Sequence, residues 1–310
     1  MNEPLLQIRD LVRDYGSTRA LDEVTLDITE GTVVGLIGRN GAGKTTLIRH
    51  LLGLLRAQSG SVRVFGCDPA RRPEQVLDKI GYVSEERDLP GWMTLHELLG
   101  YFSAFYPRWD EALATRLCTD FDLDLRQKVG TLSRGQHVRA SLVVALAPRP
   151  PLLILDEPSS GLDPVVRRDV LEAVLTNVAN DGRTVVFSSH LLDEVERISS
   201  RLLMIDRGQI RLDENAIDAL DRFVLLEVST TGAGAPRLPE ILRWLPLDGP
   251  SASPLEQVIF CELANAASVE SLAPRLAEQS VTLHQQHQPS LDEVFVHLCE
   301  GTRVVADTAP

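Results

Sequence analysis

The segment Gly38-Arg39-Asn40-Gly41-Ala42-Gly43-Lys44-Thr45-Thr46 constrains this chain more than any other, because it fits the G-x-x-x-x-G-K-[ST] pattern of a phosphate-binding loop. It follows the apolar run Thr32–Ile37, which reads as a buried strand. It precedes a helix carrying Leu47, Ile48, Leu51, Leu52 and Leu55 at helical spacing. Glycines let successive backbone N–H groups turn towards phosphate oxygens, Lys44 can reach the outer phosphates, and Thr45 offers a hydroxyl to Mg²⁺. The positive end of the helix adds to the attraction. The pattern therefore predicts a nucleoside triphosphate site on an α/β sheet.

With 310 residues the chain can bury one large domain and a smaller one. A formal net charge of -13 gives no electrostatic footprint for gripping DNA or RNA, so no nucleic-acid partner is expected. The four cysteines, Cys67, Cys118, Cys261 and Cys299, lie far apart and suggest neither a zinc site nor a disulfide framework. The N-terminus lacks a basic, then apolar leader, and no apolar run approaches the ~18 residues of a membrane span. The expectation is a soluble, cytoplasmic chain.

Strand-like segments are read at Leu5–Val12, Val24–Ile28, Thr32–Ile37 and Ser61–Phe65. Thr94–Phe105, Trp109–Phe121 and Arg134–Ala147 read as successive helices, a helical insertion over about 86–150. Strand and helix then alternate through Leu152–Asp156, Val165–Ala179, Thr184–Ser188, Leu191–Ile198 and Leu202–Asp206, as a parallel sheet with crossover helices requires. A first domain over 1–221 and a small α/β domain over 222–310 are expected. In the latter, strands are read at Phe223–Val228, Val258–Leu263 and Val281–His284, and helices at Pro239–Leu245, Val269–Glu278 and Leu291–Leu298. Segments 229–236 and 248–254 read as turn-rich connections, and the chain from Thr302 as a frayed end.

Leu152-Leu-Ile-Leu-Asp156-Glu157 is an apolar strand ending in two carboxylates, suited to delivering acids to a nucleotide site. Asp156 is placed to hold Mg²⁺ and Glu157 to orient attacking water; alone, the pair could equally cap a helix. Between the two sites lies Leu132-Ser133-Arg134-Gly135-Gln136. With it, the chain resembles the nucleotide-binding subunit of an ATP-binding cassette (ABC) transporter, whose defining motif is Leu-Ser-Gly-Gly-Gln. Tyr15, the run Ser160-Gly-Leu-Asp163 and His190 in Phe187-Ser-Ser-His190 follow the family order, and the likeness covers about residues 5–215.

The resemblance implies an α/β P-loop NTPase fold with an ABC-type β subdomain and a helical insertion, followed by the small C-terminal α/β domain. It implies ATP and Mg²⁺ as cofactors, with Lys44, Glu157 and His190 catalytic and Thr45, Asp156 and Glu85 at the metal. Tyr15 would stack on adenine. Gly38 through Thr46 would bind the phosphates, Ser133, Gly135 and Gln136 would serve a second subunit's nucleotide in a homodimer, and Asp163, also a nucleotide-site residue, would help align the facing sites. Two positions depart from the family: Arg134 replaces glycine in the signature, and Glu85 stands where glutamine is usual. Ionised, Glu85 can accept at a metal but cannot donate a hydrogen bond.

The resemblance further implies a separately encoded integral membrane permease, with the chain peripheral on the inner face of the membrane. Trp92 and its loop are candidates for the docking groove, and most of Tyr101, Phe102, Phe105 and Tyr106 are read as core. Phe105-Tyr-Pro-Arg-Trp-Asp110 and Pro289-Ser-Leu-Asp-Glu-Val-Phe295 resemble ATPase subunits of ABC-2-type exporters. An importer ATPase, or a soluble cassette ATPase acting on ribosomes or DNA, shares the nucleotide motifs and stands as the alternative.

Overall fold

The computed structural model describes residues 3–86, 89–179, 182–230, 238, 240–246, 256–262 and 269–299. The turn-rich segment 248–254 and the end from Thr302 lie outside them, as does most of 229–236. The chain divides into two compact units, Met1–Asp213 and Glu214–Pro310.

In the first unit, β1 (Leu6–Tyr15), β2 (Thr18–Ile28), β3 (Val33–Ile37), α1 (Lys44–Leu51), β4 (Ser59–Val64) and β5 (Ile80–Val83) precede a helical stretch. That stretch comprises α2 (Leu95–Ser103), α3 (Glu111–Asp120) and α4 (Arg134–Leu146). Then follow β6 (Leu152–Asp156), α5 (Pro164–Ala179), β7 (Thr184–Ser189), α6 (Leu192–Ile198), β8 (Arg201–Asp206) and β9 (Gln209–Asn215). β1 pairs antiparallel with β2 and β4 in a three-stranded sheet. The second sheet has the order β5-β6-β7-β3-β8-β9, with parallel pairing from β5 to β8.

The apolar run of β6 follows from this topology. Leu152, Leu153, Ile154 and Leu155 are fully buried, as a central parallel strand covered on both faces demands. Both sheets contribute to one core, in which Ile8, Leu11 and Leu26 join Leu47, Ile48, Ile154 and Leu203. The helical stretch is fixed by its caps. Thr94 forms a reciprocal capping box with Glu97 on α2, Asp110 accepts from the Leu113 N–H on α3, and Ser133 forms a second box with Gln136 on α4. Asp110 stops the helix read from Trp109, whose indole N–H instead donates to Glu111 at 2.9 Å.

The second unit holds α7 (Ala216–Asp221), β10 (Phe223–Thr230), β11 (Ile241–Pro246), β12 (Glu256–Glu262), α8 (Val269–Glu278), β13 (Val281–His287) and α9 (Leu291–Cys299). Its sheet is antiparallel in the order β11-β12-β10-β13. Phe260 stacks between Phe223 and His297, at 5.2 and 4.4 Å between ring centroids. The helix expected over Pro239–Leu245 is overturned: its described residues from Ile241 on lie in the edge strand β11, with Arg243 and Trp244 in register with Phe260 and Ile259. A short apolar run fits either period, and pairing with β12 decides it. Pro246, lacking an N–H, is tolerated on an edge strand. β5, β9 and α7 were not read as elements from the sequence.

Truncating Ile154, fully buried at the centre of β6, should cost about 2–5 kcal/mol. Denaturant unfolding of Ile154→Ala should show a lower midpoint by that amount; a loss within error would mean that β6 is not the packed centre.

Candidate functional site

Register brings the site together. Asp156 pairs with Ser188 across β6 and β7, and Ile37 with Ser189 across β3 and β7. The carboxyl ends of three neighbouring strands therefore deliver Gly38, Asp156 and Ser188 to one edge, where open α/β sheets bind their ligands.

Beyond β3 the chain turns through Gly43, whose φ of 117° is open to glycine, and a Cβ there would lie 2.6 Å from the Ala20 carbonyl oxygen. The turn aims Lys44 back into the loop: its Nζ donates to the Gly38 carbonyl at 2.5 Å and lies 3.0 Å from Glu157 Oε1. Both charged groups are buried. Arg39, Asn40, Gly41, Gly43, Lys44, Thr45 and Thr46 share a cavity of about 240 Å³ with Ala20, Glu85 and Glu157. A larger cavity of about 560 Å³, lined by Arg56, Arg63, Arg71 and Arg72, contains neither the paired acids nor Lys44. The chemistry therefore points to the smaller one.

Glu157 occupies an uncommon left-handed conformation, φ 49°, of the kind that costs about 1–3 kcal/mol and persists where surroundings impose it. Here the surroundings are visible. Its N–H donates to Ser188 Oγ at 2.9 Å, while its Oε2 lies 2.6 Å from His190 Nδ1 and accepts from the His190 N–H at 3.3 Å. Its carboxylate is thus held between an ammonium and an imidazole.

Asp156 is fully buried and accepts from Ser188 Oγ at 2.7 Å on Oδ1. Burial pushes its carboxyl above the ordinary range; hydrogen bonds from Ser188 and Thr45 oppose the rise, the Glu157 charge adds to it, and Lys44 also opposes it. Oδ2 is buried without a hydrogen-bond partner. Such an atom, beside the Thr45 hydroxyl, is suited to a cation.

The remaining sequence candidates lie apart from this cavity's walls or serve the fold in ways the sequence did not disclose. Tyr15 ends β1 half-exposed, with the Arg13 guanidinium 4.7 Å from its ring centroid. Ser133 and Gln136 bond each other across the first turn of α4. Gly135 lies against α5, where a Cβ would meet Val166 at 2.8 Å. Asp163 Oδ1 accepts from the N–H groups of Val165 and Val166, both at 3.1 Å, at the start of α5. Sequence reasoning missed Ser188, whose hydroxyl joins both acids of the pair; its only signal was its place at the end of an apolar strand before His190.

A glycine-rich strand-to-helix loop and, in the same sheet, a strand leading into two buried acids define a P-loop nucleoside triphosphatase. The ABC transporter family model matches residues 21–160. A daunorubicin resistance ATP-binding protein of Streptomyces coeruleorubidus is 34% identical over 297 residues, covering 92% of this chain and 91% of that protein. The Nod factor export ATP-binding protein I of Rhizobium etli is 28% identical over 301 residues, covering 94% and 92%. Among solved structures, an ATP-binding subunit of an ABC transporter superposes with a TM-score of 0.63 at 30% identity, covering 70% of this chain and 92% of that one. The chain belongs to the ABC transporter ATP-binding proteins and is an ABC-type ATPase.

Because the folded pKa of Asp156 is raised, the native chain binds this proton more tightly than the unfolded chain does. The associated stability is present below 3.8 and is lost as pH rises through the raised value. Asp156→Asn, which cannot ionise, should therefore raise the thermal midpoint of the chain alone at neutral pH, the gain fading as pH falls through that window. Scanning calorimetry across the range checks this; a lower midpoint at neutral pH would mean that the buried charge is better compensated than its neighbours suggest.

Proposed function

We propose that the chain powers an exporter, working as a homodimer on the inner face of the membrane and driving a separately encoded integral membrane permease. The reach of the relatives carries this reading. Those matching over 92% and 94% of this chain, hence through its second unit, are ATP-binding proteins named for daunorubicin resistance and Nod factor export. Among the described residues no helix is long and apolar enough to cross a membrane, so the transmembrane path would come from another chain. Trp92, Tyr101 and Phe105 are exposed, and Tyr101 makes edge contacts with Phe102 and Phe105. Tyr101 and Phe105 are thus not the core residues expected, and an exposed aromatic ridge supports a docking role for this helical stretch.

In the ATPase reaction, the loop N–H groups and Lys44 would hold the phosphates and Glu157 would orient and polarise the attacking water. A phosphate and Glu157 compete for the Lys44 ammonium. A phosphate drawing Lys44 away would leave Glu157 with His190 as its partner, turning the carboxylate from a counter-ion into a water acceptor. Thr45 and Asp156 fit Mg²⁺, which commonly takes one or two carboxylates together with phosphate oxygens, and Glu85 lines the same cavity. When bound, Mg²⁺ would neutralise charge on the outer phosphates. Tyr15 at adenine, and Ser133, Gly135, Gln136 and Asp163 facing the second subunit's nucleotide, complete the proposed site.

Glu157→Gln should slow ATP hydrolysis at least about 100-fold, within the range for losing a general base, while ATP binding persists. An unchanged turnover number would remove Glu157 from this role. Glu85→Ala should alter the Mg²⁺ dependence of turnover, which a titration of the metal measures. For the transporter reading, tagged chain recovered from detergent-solubilised membranes should bring an integral membrane protein that raises ATP turnover. Recovery of ribosomes or DNA-bound proteins instead would favour the soluble alternative, and substrate moving inward in reconstituted vesicles would favour an importer.

A further inference from the structure

Outside the site, the first unit contains a deeply buried carboxylate that the ATPase reading does not use. Glu194, in the first turn of α6, is 1% exposed. Its Oε2 accepts from Ser159 Oγ at 2.6 Å and from Ser189 Oγ at 3.0 Å, and its Oε1 lies 3.2 Å from Arg167 Nε. Burying an ionised carboxylate is costly unless it is paired and hydrogen-bonded, so each of these three partners matters to its neighbours.

The partners are distributed in a telling way. Ser159 lies two residues after Glu157, and Ser189 immediately before His190. Ser189 Oγ also accepts from the Leu191 N–H at 3.0 Å, so its hydroxyl spans the turn that presents His190. Arg167 extends the connection, with its Nη2 3.5 Å from the carbonyl of Leu162, next to Asp163. One carboxylate thus ties together the loop leaving Glu157, the strand end entering His190 and the base of α5.

We infer that Glu194 is a positioning residue for hydrolysis: through Ser159 and Ser189 it fixes the separation of Glu157 and His190, and through Arg167 it links that separation to the Asp163 turn. The inference rests on the assignment of Glu157 and His190 to the hydrolytic site. A contact 2.6 Å long between groups on two different loops is sensitive to small relative movements, and a misplacement of about 1 Å at a reacting group can cost about 100-fold in rate. Glu194 touches neither reacting group, so its loss should act on turnover through the pair.

The test is a double-mutant cycle on the full chain, with steady-state ATPase kinetics and thermal midpoints for every variant. Glu194→Gln keeps the shape and an acceptor for the serines but places an amide against Arg167. It should lower kcat about ten- to hundredfold with KM for ATP unchanged. His190→Ala should lower kcat by itself, and in that background Glu194→Gln should cost much less, because the separation it controls no longer matters. Losses that multiply, or a kcat for Glu194→Gln equal to that of the parent, would overturn the inference. If Glu194→Gln does not fold, Ser159→Ala and Ser189→Ala carry the test: each should lower kcat at constant KM, and an unchanged kcat in both would overturn it. An unchanged kcat in both His190→Ala and Glu157→Gln would instead remove the assignment on which the inference rests, and the inference with it.

Discussion

The contact on which the site depends is the clasp of the Glu157 carboxylate between Lys44, at 3.0 Å, and His190, at 2.6 Å. It closes a circuit through three strands that are adjacent in space but distant in sequence: Lys44 follows β3, Glu157 follows β6 and His190 follows β7. A parallel sheet makes this possible because every strand ends on the same side. The order β6-β7-β3 puts the histidine strand between those leading to the acid and the lysine. Burial then strengthens the Lys44–Glu157 pair, since charges removed from water feel one another in a lower dielectric, while His190 holds the outer side of the carboxylate from an exposed position. The same burial lifts the pKa of Asp156 and leaves its Oδ2 unsatisfied, so an arrangement favourable to a bound cation is unfavourable to the chain alone.

Much of this was legible in the sequence because the elements concerned are locally self-consistent. Gly43 and Lys44 lie at a turn whose geometry needs those residue types, and β6 reads as a buried strand because it is buried on both faces. The helices α2, α3 and α4 announced themselves by periodicity, and their starts are set by Thr94, Asp110 and Ser133. The helix read over Pro239–Leu245 fails because so short an apolar run does not separate the two periods, and what makes Ile241–Pro246 a strand is antiparallel pairing with the next strand, β12, which no local spacing reveals. Most of Tyr101, Phe102, Phe105 and Tyr106 read as core because an aromatic stripe usually packs, yet Tyr101 and Phe105 are exposed; nothing in the spacing distinguishes a core face from an exposed one.

Within the site the illegible part was the hydroxyl and carboxylate framework. Ser188, Ser189 and Ser159 carry no pattern by themselves, and Glu194 reads as one more acid in the first turn of a helix, a placement that the helix dipole alone would explain. Their meaning arises from register, which sets Ser188 opposite Asp156 and so beside the N–H of Glu157. Ser133, Gln136 and Asp163 show the converse. The family resemblance singles them out for the facing sites of a dimer, yet their side chains also do local work at the starts of α4 and α5.

Arg134 shows how a departure from a family pattern is absorbed. A Cβ on Gly161 would lie 2.1 Å from Arg134 Nη1 and 2.4 Å from its Cζ, so the guanidinium packs directly over the Cα of Gly161. The arginine therefore does not perturb the start of α4; Ser133 and Gln136 keep their reciprocal hydrogen bonds around it. Instead it covers the turn of Ser160-Gly-Leu-Asp163, where Gly161 has φ 66°. The substitution converts a position that elsewhere carries no side chain into a contact between two motifs. Because the atoms nearest 161 belong to the end of a flexible side chain that can move aside, it is the backbone conformation at 161, more than space, that ties this position to glycine.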